Sequence, residues 1–521
     1  MKITITKKYL VFSVSAHAKN KFLYFCDGDK VLYDVHIKLD YIDGDLEAYI
    51  DVARYIGMTL ELKVEPEIEL HFRETDEMEL TDLYQESLRP QIHFTAKNGW
   101  INDPNGLIYI NGVYHMFYQY NPIGNHWDNM HWGHAVSTDL IHWEEQDIAL
   151  FINEHGNIFS GSAILDQNNI LGKNSGSEPA LLLYYTATAP VFTQRLAYSV
   201  DCFKTIREYA KDPIIPHIVG ANRDPSVAYC EEMNCYVMAL YLIYHEYALL
   251  RSDNLIDWEV FQKIEFPEEA ECPDLFPIRD ISGEKKWVLM GATDRYLIGQ
   301  FNHGQFVTEQ ETGILQYGSG GYAGQSFSNL PNGRVVRVCW DRWDSPSTKF
   351  TGQMGIPLEL TLTKTAERYF LCAWPVEELE SLYDESQILE NVMMSAGETQ
   401  KLPLKDVPYV LRFNGRFAPD IKLKGTIFGC EYVVDFRENQ LVLVGVDNRK
   451  MPVSLYRDDL DLLLVVDRHS LEIFADKGKG YMAATEGEAI PDRNLPWLTL
   501  EADGSYCFDK IELHTLKSIW V

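Results

Sequence analysis

Three short motifs follow one another along the chain: Asn102-Asp103-Pro104-Asn105-Gly106, then Arg223-Asp224-Pro225-Ser226, then Glu271-Cys272-Pro273-Asp274. Each sets a carboxylate close to a proline, and each leads into an apolar run: Leu107-Ile108-Tyr109, Val227-Ala228-Tyr229 and Leu275-Phe276. Proline is kept out of the middle of a paired strand, so the motifs place each acid at the mouth of a strand, aimed into a cleft. Carboxylates facing one another across a sugar are what glycosidic-bond cleavage requires. One protonates the departing oxygen while the other attacks the anomeric carbon or activates a water.

Acids so far apart in sequence need a repeating scaffold to bring them together. Comparable signatures recur at Asp103, at Phe159-Ser160-Gly161-Ser162, at Asp224, at Glu271 and at Tyr322-Ala323-Gly324-Gln325-Ser326-Phe327. They lie roughly 45 to 65 residues apart, a spacing that suits propeller blades of four short strands. A second echo supports the repeat. Ser137-Thr138-Asp139-Leu140-Ile141-His142-Trp143 resembles Ser252-Asp253-Asn254-Leu255-Ile256-Asp257-Trp258, and Ser199-Val200-Asp201-Cys202-Phe203 is a degenerate third copy. In a propeller the first strand of every blade lines the central channel, so the acids converge.

The flanking regions read differently. Residues 1–86 form a small β domain of alternating runs broken by turns such as Asp27-Gly28 and Asp43-Gly44. Its last, acidic stretch from Glu65 to Glu86 reads as a connector. Residues 87–373 make the propeller. Residues 374–385, with Pro375 near the start and apolar residues at helical spacing, predict a short helical linker. Residues 386–521 return to alternating strands with turns at Asp476-Lys477-Gly478 and Asp503-Gly504, a β-sandwich pattern.

The net charge of -31 excludes nucleic acid and anionic membrane as partners, since both attract basic surfaces. No run approaches the roughly 18 apolar residues that a membrane helix needs. Nine cysteines at irregular intervals read as free thiols in a reducing compartment, so the expected location is cytoplasmic. His126, His131 and His134 cluster beside Trp127 and Trp132 but lack compact ligand spacing, and packing is the favoured reading.

Trp100-Ile101-Asn102-Asp103-Pro104-Asn105-Gly106, Phe159-Ser160-Gly161-Ser162, Arg223-Asp224-Pro225 and Glu271-Cys272-Pro273-Asp274 together resemble glycoside hydrolase family 32, the invertases, inulinases, levanases and fructosyltransferases. The resemblance runs from about residue 88 to the C-terminus. It implies an all-β protein, a five-bladed β-propeller followed by a β-sandwich; residues 1–86 resemble the extra N-terminal β domain of some levanase-like members. It implies Asp103 as nucleophile, Glu271 as general acid/base and Asp224 as a stabiliser of the transition state. Asn102, Gln119, Ser160, Arg223 and Cys272 would line the sugar pocket, with Trp127, Phe159, Tyr322 and Trp340 as its apolar walls. Arg223 would pair with carboxylates and keep Asp224 ionised. No metal and no cofactor is implied, and a homo-oligomer is left open.

The expected activity is retaining, exo-acting hydrolysis of terminal β-D-fructofuranosyl units. A cytoplasmic location favours small substrates such as sucrose, kestose, inulobiose and levanbiose over polymer. The alternatives are a fructosyltransferase using the same residues, an exo-levanase or exo-inulinase acting on polymer, an inverting pentosidase on a related propeller, and a non-catalytic sugar-binding propeller. The last should have lost an acid, and all three stand. Two departures from the family pattern bear on substrate choice. Ala270 stands where many relatives carry tryptophan, and Gly324 stands where a larger residue is usual, at what reads as the rim of the fifth blade.

Overall fold

The computed structural model describes residues 1–520 apart from 177, 202, 212, 344–347, 417–420, 446–447, 454–458 and 486–490. Cys202, in the third sequence echo, therefore lies outside the described residues.

Five antiparallel sheets follow one another from residue 99 to 375. Their innermost strands are Gly99–Ile110, Ile158–Leu165, Arg223–Cys230, Asp274–Arg279 and Tyr322–Ser326. The ring closes where Phe350–Thr351, in the connection between the second and third strands of blade five, pairs in parallel with Gly99 and Trp100 of blade one. Side chains tie neighbouring blades around the axis. Ser162 Oγ accepts from Val227 N at 3.0 Å, Ser226 Oγ from Leu275 N at 3.1 Å, and Asp274 Oδ2 from Ser326 N at 2.9 Å. Gln325 accepts from Leu107 N at 2.9 Å and donates to Gly161 O at 3.0 Å. Paired polar groups of this kind let an axis be both buried and hydrogen-bonded.

The sequence echoes are blade turns. Asp139 Oδ1 accepts from Ile141 N and His142 N, at 2.9 and 2.8 Å, and Trp143 Nε1 donates to Leu140 O. Asn254 Oδ1 does the same for Ile256 N and Asp257 N, at 3.1 and 2.8 Å, and Trp258 Nε1 donates to Leu255 O. Such side chains replace backbone partners in a tight turn. Leu140 and Leu255 both sit at positive φ, 67° and 69°.

Two six-stranded sheets form the C-terminal sandwich, one beginning with Tyr383–Met394 and the other with Thr399–Pro403. Their facing residues make one apolar core that includes Leu411, Phe413, Leu462 and Phe508. A 3-10 helix at Glu377–Leu382 leads into it. The sandwich docks on the propeller through a buried ionic network. His93 Nδ1 lies 2.9 Å from Asp467 and its Nε2 3.3 Å from Glu472, and Asp467 also accepts from Gln91 N and Ile92 N.

The N-terminal unit has a four-stranded sheet and a three-stranded one. The acidic connector is not structureless: Arg73–Thr75 pairs with Tyr9–Val11 and supplies the third strand of the smaller sheet. This unit sits against blade one, where Asn129 exchanges hydrogen bonds with the His36 backbone at 2.8 and 2.9 Å and His36 Nδ1 meets Asp128 at 2.8 Å. Among the described residues, no helix is long and apolar enough to cross a membrane.

Candidate active site

Each inner strand except the fourth is bulged where it enters the site. The register shifts between Ile101 and Pro104, Phe159 and Gly161, Arg223 and Ser226, and Tyr322 and Gln325. A bulge bends a strand and re-aims the side chains beside it. Asp103 and Pro104 thus lie inside the first strand rather than before it, and Pro225 likewise lies inside the third. Prolines fit there because a bulge leaves an amide out of the ladder. Asp224 and Glu271 are held at positive φ, 64° and 59°. Backbone strain at non-glycine residues collects where side chains must point in one direction.

The three acids converge. Asp103 Oδ2 accepts from Ser160 Oγ at 2.6 Å, and Asn102 Nδ2 lies 3.2 Å from Oδ1. The Cys272 thiol sits between two carboxylates, 3.4 Å from Asp103 Oδ2 and 3.5 Å from Asp224 Oδ2, while its backbone N–H donates to Asp224 at 3.0 Å. Burial and these carboxylates hold the thiol protonated, well above its usual range. Glu271 Oε1 accepts from Arg223 Nη2 at 2.5 Å and its Oε2 accepts from Tyr322 OH at 2.8 Å.

Burial drives the electrostatics. It pushes the Asp103 carboxyl up to about 7, with Asp224 adding to the rise and the Ser160 hydroxyl opposing it. Asp224 is pushed up to about 6 by burial, although Arg223 pulls the other way. The Arg223 guanidinium pairs directly with Glu271 and stands 3.6 Å from Asp224, resting on the Tyr241 ring.

The expected walls fall in two groups. Trp127, more than half exposed, meets Phe159 edge-on at 6.2 Å. Trp340 meets both Tyr322 and Trp100 edge-on, at 6.3 and 5.5 Å. Gln119 is buried and donates to Ile158 O at 3.0 Å, linking blade one to blade two behind Ser160. Of the expected pocket residues, two carry a buried polar atom without a partner among the described residues: Asn102 Oδ1 and Trp340 Nε1. Such atoms await a ligand or water.

Some residues escaped the sequence reading. Tyr247 OH donates to Glu271 O at 3.0 Å, and Thr186 Oγ1 accepts from Asp224 N at 3.0 Å. Both stand on outer strands, where neither motif nor spacing marks them. Asp274, the second acid of its motif, ties blade four to Ser326 rather than facing Asp103.

The two departures also find their place. Ala270 packs beside the core between blades three and four, and its carbonyl accepts from Ala292 N at 3.3 Å. Gly324 is not a rim residue. A Cβ there would stand 2.1 Å from the Arg337 guanidinium, which is fully buried and paired with Asp294. His131 and His134 are engaged in packing: His131 bonds Tyr33 OH and Asn129 O, and His134 lies 3.1 Å from His115 and stacks on Phe117.

A five-bladed propeller with converging carboxylates on its axis, followed by a β-sandwich, defines a glycoside hydrolase. Residues 93–375 match the N-terminal domain of glycosyl hydrolases family 32. The chain belongs to that family. It is 32% identical over 501 residues to a levanase of Bacillus subtilis, covering 84% of this chain and 72% of the other. It is 27% identical over 528 residues to an extracellular exo-inulinase of Aspergillus ficuum, covering 84% and 96%. The crystal structure of the exo-inulinase from Aspergillus awamori superposes with a TM-score of 0.75 at 25% identity, covering 84% of this chain and all of that one.

These relatives overturn the cytoplasmic expectation, because the Aspergillus exo-inulinases are extracellular enzymes. The cysteines misled for a physical reason. The eight described ones are unpaired, and six of them are buried as small apolar groups. A core this large needs no disulfides, so thiol count carries no information on compartment.

Proposed function

We propose that the protein is a retaining, exo-acting β-fructofuranosidase that removes terminal β-D-fructofuranosyl units from fructan-type sugars. The observation that carries this reading is the convergence of Asp103, Asp224 and Glu271 beside two unpartnered buried polar atoms. In the proposed cycle ionised Asp103 attacks the anomeric carbon while Glu271 protonates the departing oxygen, giving a fructosyl ester on Asp103. Glu271 then takes a proton from the water that cleaves this ester. Asp224 holds fructose hydroxyls. Protonated Glu271 must give up an acceptor role, and the Tyr322 hydroxyl serves, since a phenol both donates and accepts.

The exo mode and the fructan substrates rest on the levanase and exo-inulinase relatives. With the cytoplasmic location withdrawn, the argument for short substrates alone falls away, and polymer ends join sucrose, kestose, inulobiose and levanbiose. The expected linker at 374–385 narrows to the 3-10 helix Glu377–Leu382, since Trp374 and Pro375 finish blade five and Tyr383 opens the sandwich, and we take the propeller as the catalytic unit.

A chromatographic product profile on sucrose, kestose, inulobiose, levanbiose, inulin and levan tests the reading. Free fructose from chain ends, with no intermediate oligosaccharides, is expected. Longer oligosaccharides from sucrose would make it a transferase, and inertness toward the whole panel would overturn the fructoside assignment.

A further inference from the structure

The N-terminal unit and blade one enclose a cavity of about 450 Å³ that does not include the catalytic acids. Its walls are unusual for a gap between two packed units. Tyr9 and Tyr49 come from the N-terminal unit, Tyr118 and Tyr120 from the second strand of blade one, and Glu145 and Lys97 bring charge of both signs. Tyr9 and Tyr49 stand edge to face at 6.1 Å, and Tyr118 and Tyr120 at 5.7 Å, so two aromatic pairs lie in the wall of the same space.

One atom of this wall has nothing to bond. Tyr118 is fully buried, and its hydroxyl has no hydrogen-bond partner. A buried hydroxyl left without a partner costs about 1–3 kcal/mol. The ring is held in place by design of the neighbouring strand: Gly133 lies against it, and a Cβ there would come within 2.2 Å of the Tyr118 ring. Two neighbouring tyrosines are satisfied, Tyr120 OH by Asn98 and Tyr49 OH by Glu47. Glu145 accepts from Lys97 N at 2.8 Å through one oxygen.

We propose that this cavity is a second carbohydrate-binding site, taking a neutral sugar of one or two rings. Its volume lies within the roughly 300–1,000 Å³ of small-molecule sites. The buried tyrosine rings give the cavity an apolar floor, while the Tyr118 hydroxyl and the Glu145 carboxylate suit a sugar's hydroxyls. An anion is disfavoured because carboxylates outnumber ammonium groups in the wall, with Asp51, Asp76 and Asp147 beside Lys8 and Lys97. Because half of the wall belongs to the N-terminal unit, the site gives that unit a function that the propeller and sandwich do not need for catalysis.

Equilibrium dialysis of labelled sucrose tests the proposal, using Asp103→Asn protein to silence turnover. The same protein carrying Tyr118→Phe and Glu145→Gln is expected to bind one fewer sucrose per chain. The paired substitutions in an otherwise wild-type chain should leave kcat/KM on kestose within about twofold. Each change removes no more than one polar atom's chemistry, so folding is checked by the thermal midpoint. Equal stoichiometry with and without the two substitutions overturns the proposal. So does saturable calcium binding that depends on Glu145 with no difference in sucrose bound, which would make the cavity a cation site.

Discussion

At the residue scale the chemistry turns on how two buried carboxylates share a small volume. Asp103 and Asp224 both have folded-state values raised above those of a free aspartate, to about 7 and about 6. The folded protein therefore holds more protons than the unfolded chain between about pH 4 and 7, and stability falls as pH rises through that window. Asp103→Asn removes the charge, so its thermal midpoint is expected to exceed that of the wild type at pH 8 and to match it at pH 4. The same substitution should lower kcat by about 10²- to 10⁴-fold, as should Glu271→Gln. A variant retaining near-normal turnover would show that its assigned role is wrong. The pH profile separates the two acids further. A nucleophile must be ionised, so kcat/KM should fall as pH drops below about 7. Ser160→Ala withdraws a hydroxyl that stabilises ionised Asp103, and the acidic limb should move to higher pH.

The convergence of the three acids was legible because each stands within two residues of a proline, a rare local pattern that the bulges explain for Asp103 and Asp224. Gln119 and Asp274 show the limit. Both stand in matching motifs, yet their side chains bond neighbouring blades, and direction around a bulge is not written in residue type. Tyr247 and Thr186 were invisible for another reason: they stand on the third strand of blade three and the second strand of blade two, where an alternating apolar pattern looks the same with or without a duty.

At the scale of elements, the bulges and the turns do the aiming. The Ser-x-Asx-Leu echo was readable because the side chain that stabilises the turn is the repeat itself. The third strand of the smaller N-terminal sheet was not readable, because Arg73–Thr75 lies in a charged stretch with no apolar alternation. Gly324 carries a prediction that belongs here. Gly324→Ala would drive a methyl group into the buried Arg337–Asp294 pair, and losing one side of a buried pair costs about 3–5 kcal/mol. Urea unfolding should show a loss of that order, without the KM change that a rim residue would give. A second prediction concerns the loop bearing Trp127. Its next residues, Asp128 and Asn129, are clasped by His36 of the N-terminal unit. Asp128→Ala should raise KM several-fold while leaving kcat nearly unchanged, if the clasp positions Trp127 at the pocket wall.

At the scale of the whole molecule, the sandwich is held to the propeller by ionic groups that water does not reach. His93 is raised to about 10, because the pull of Asp467 and Glu472 outweighs the cost of burial, and Asp467 is held down to about 2. For a raised histidine the stabilisation is complete below about pH 6.5 and is lost as pH climbs through 10. For the depressed aspartate it is present above about pH 4 and lost as pH falls through 2. Glu472, raised to about 7 chiefly by burial, opposes the pair as pH rises from about 4.5 to 7. His93→Ala leaves Asp467 without its cation and should destabilise by about 3–5 kcal/mol, read as a lower thermal midpoint at pH 6.

The parallel pairing of Phe350 and Thr351 with Gly99 and Trp100 has a consequence in time. A growing chain emerges from the ribosome at about 5–20 residues per second, so blade one waits roughly 12 to 50 seconds for the segment that seals it. Asp103 stands on the waiting strand, and Glu271 appears only partway through that interval. A nascent fragment ending between residues 271 and 350 carries all three converging carboxylates yet has an unsealed ring, so the order of synthesis leaves the site open until the late segment has been delivered.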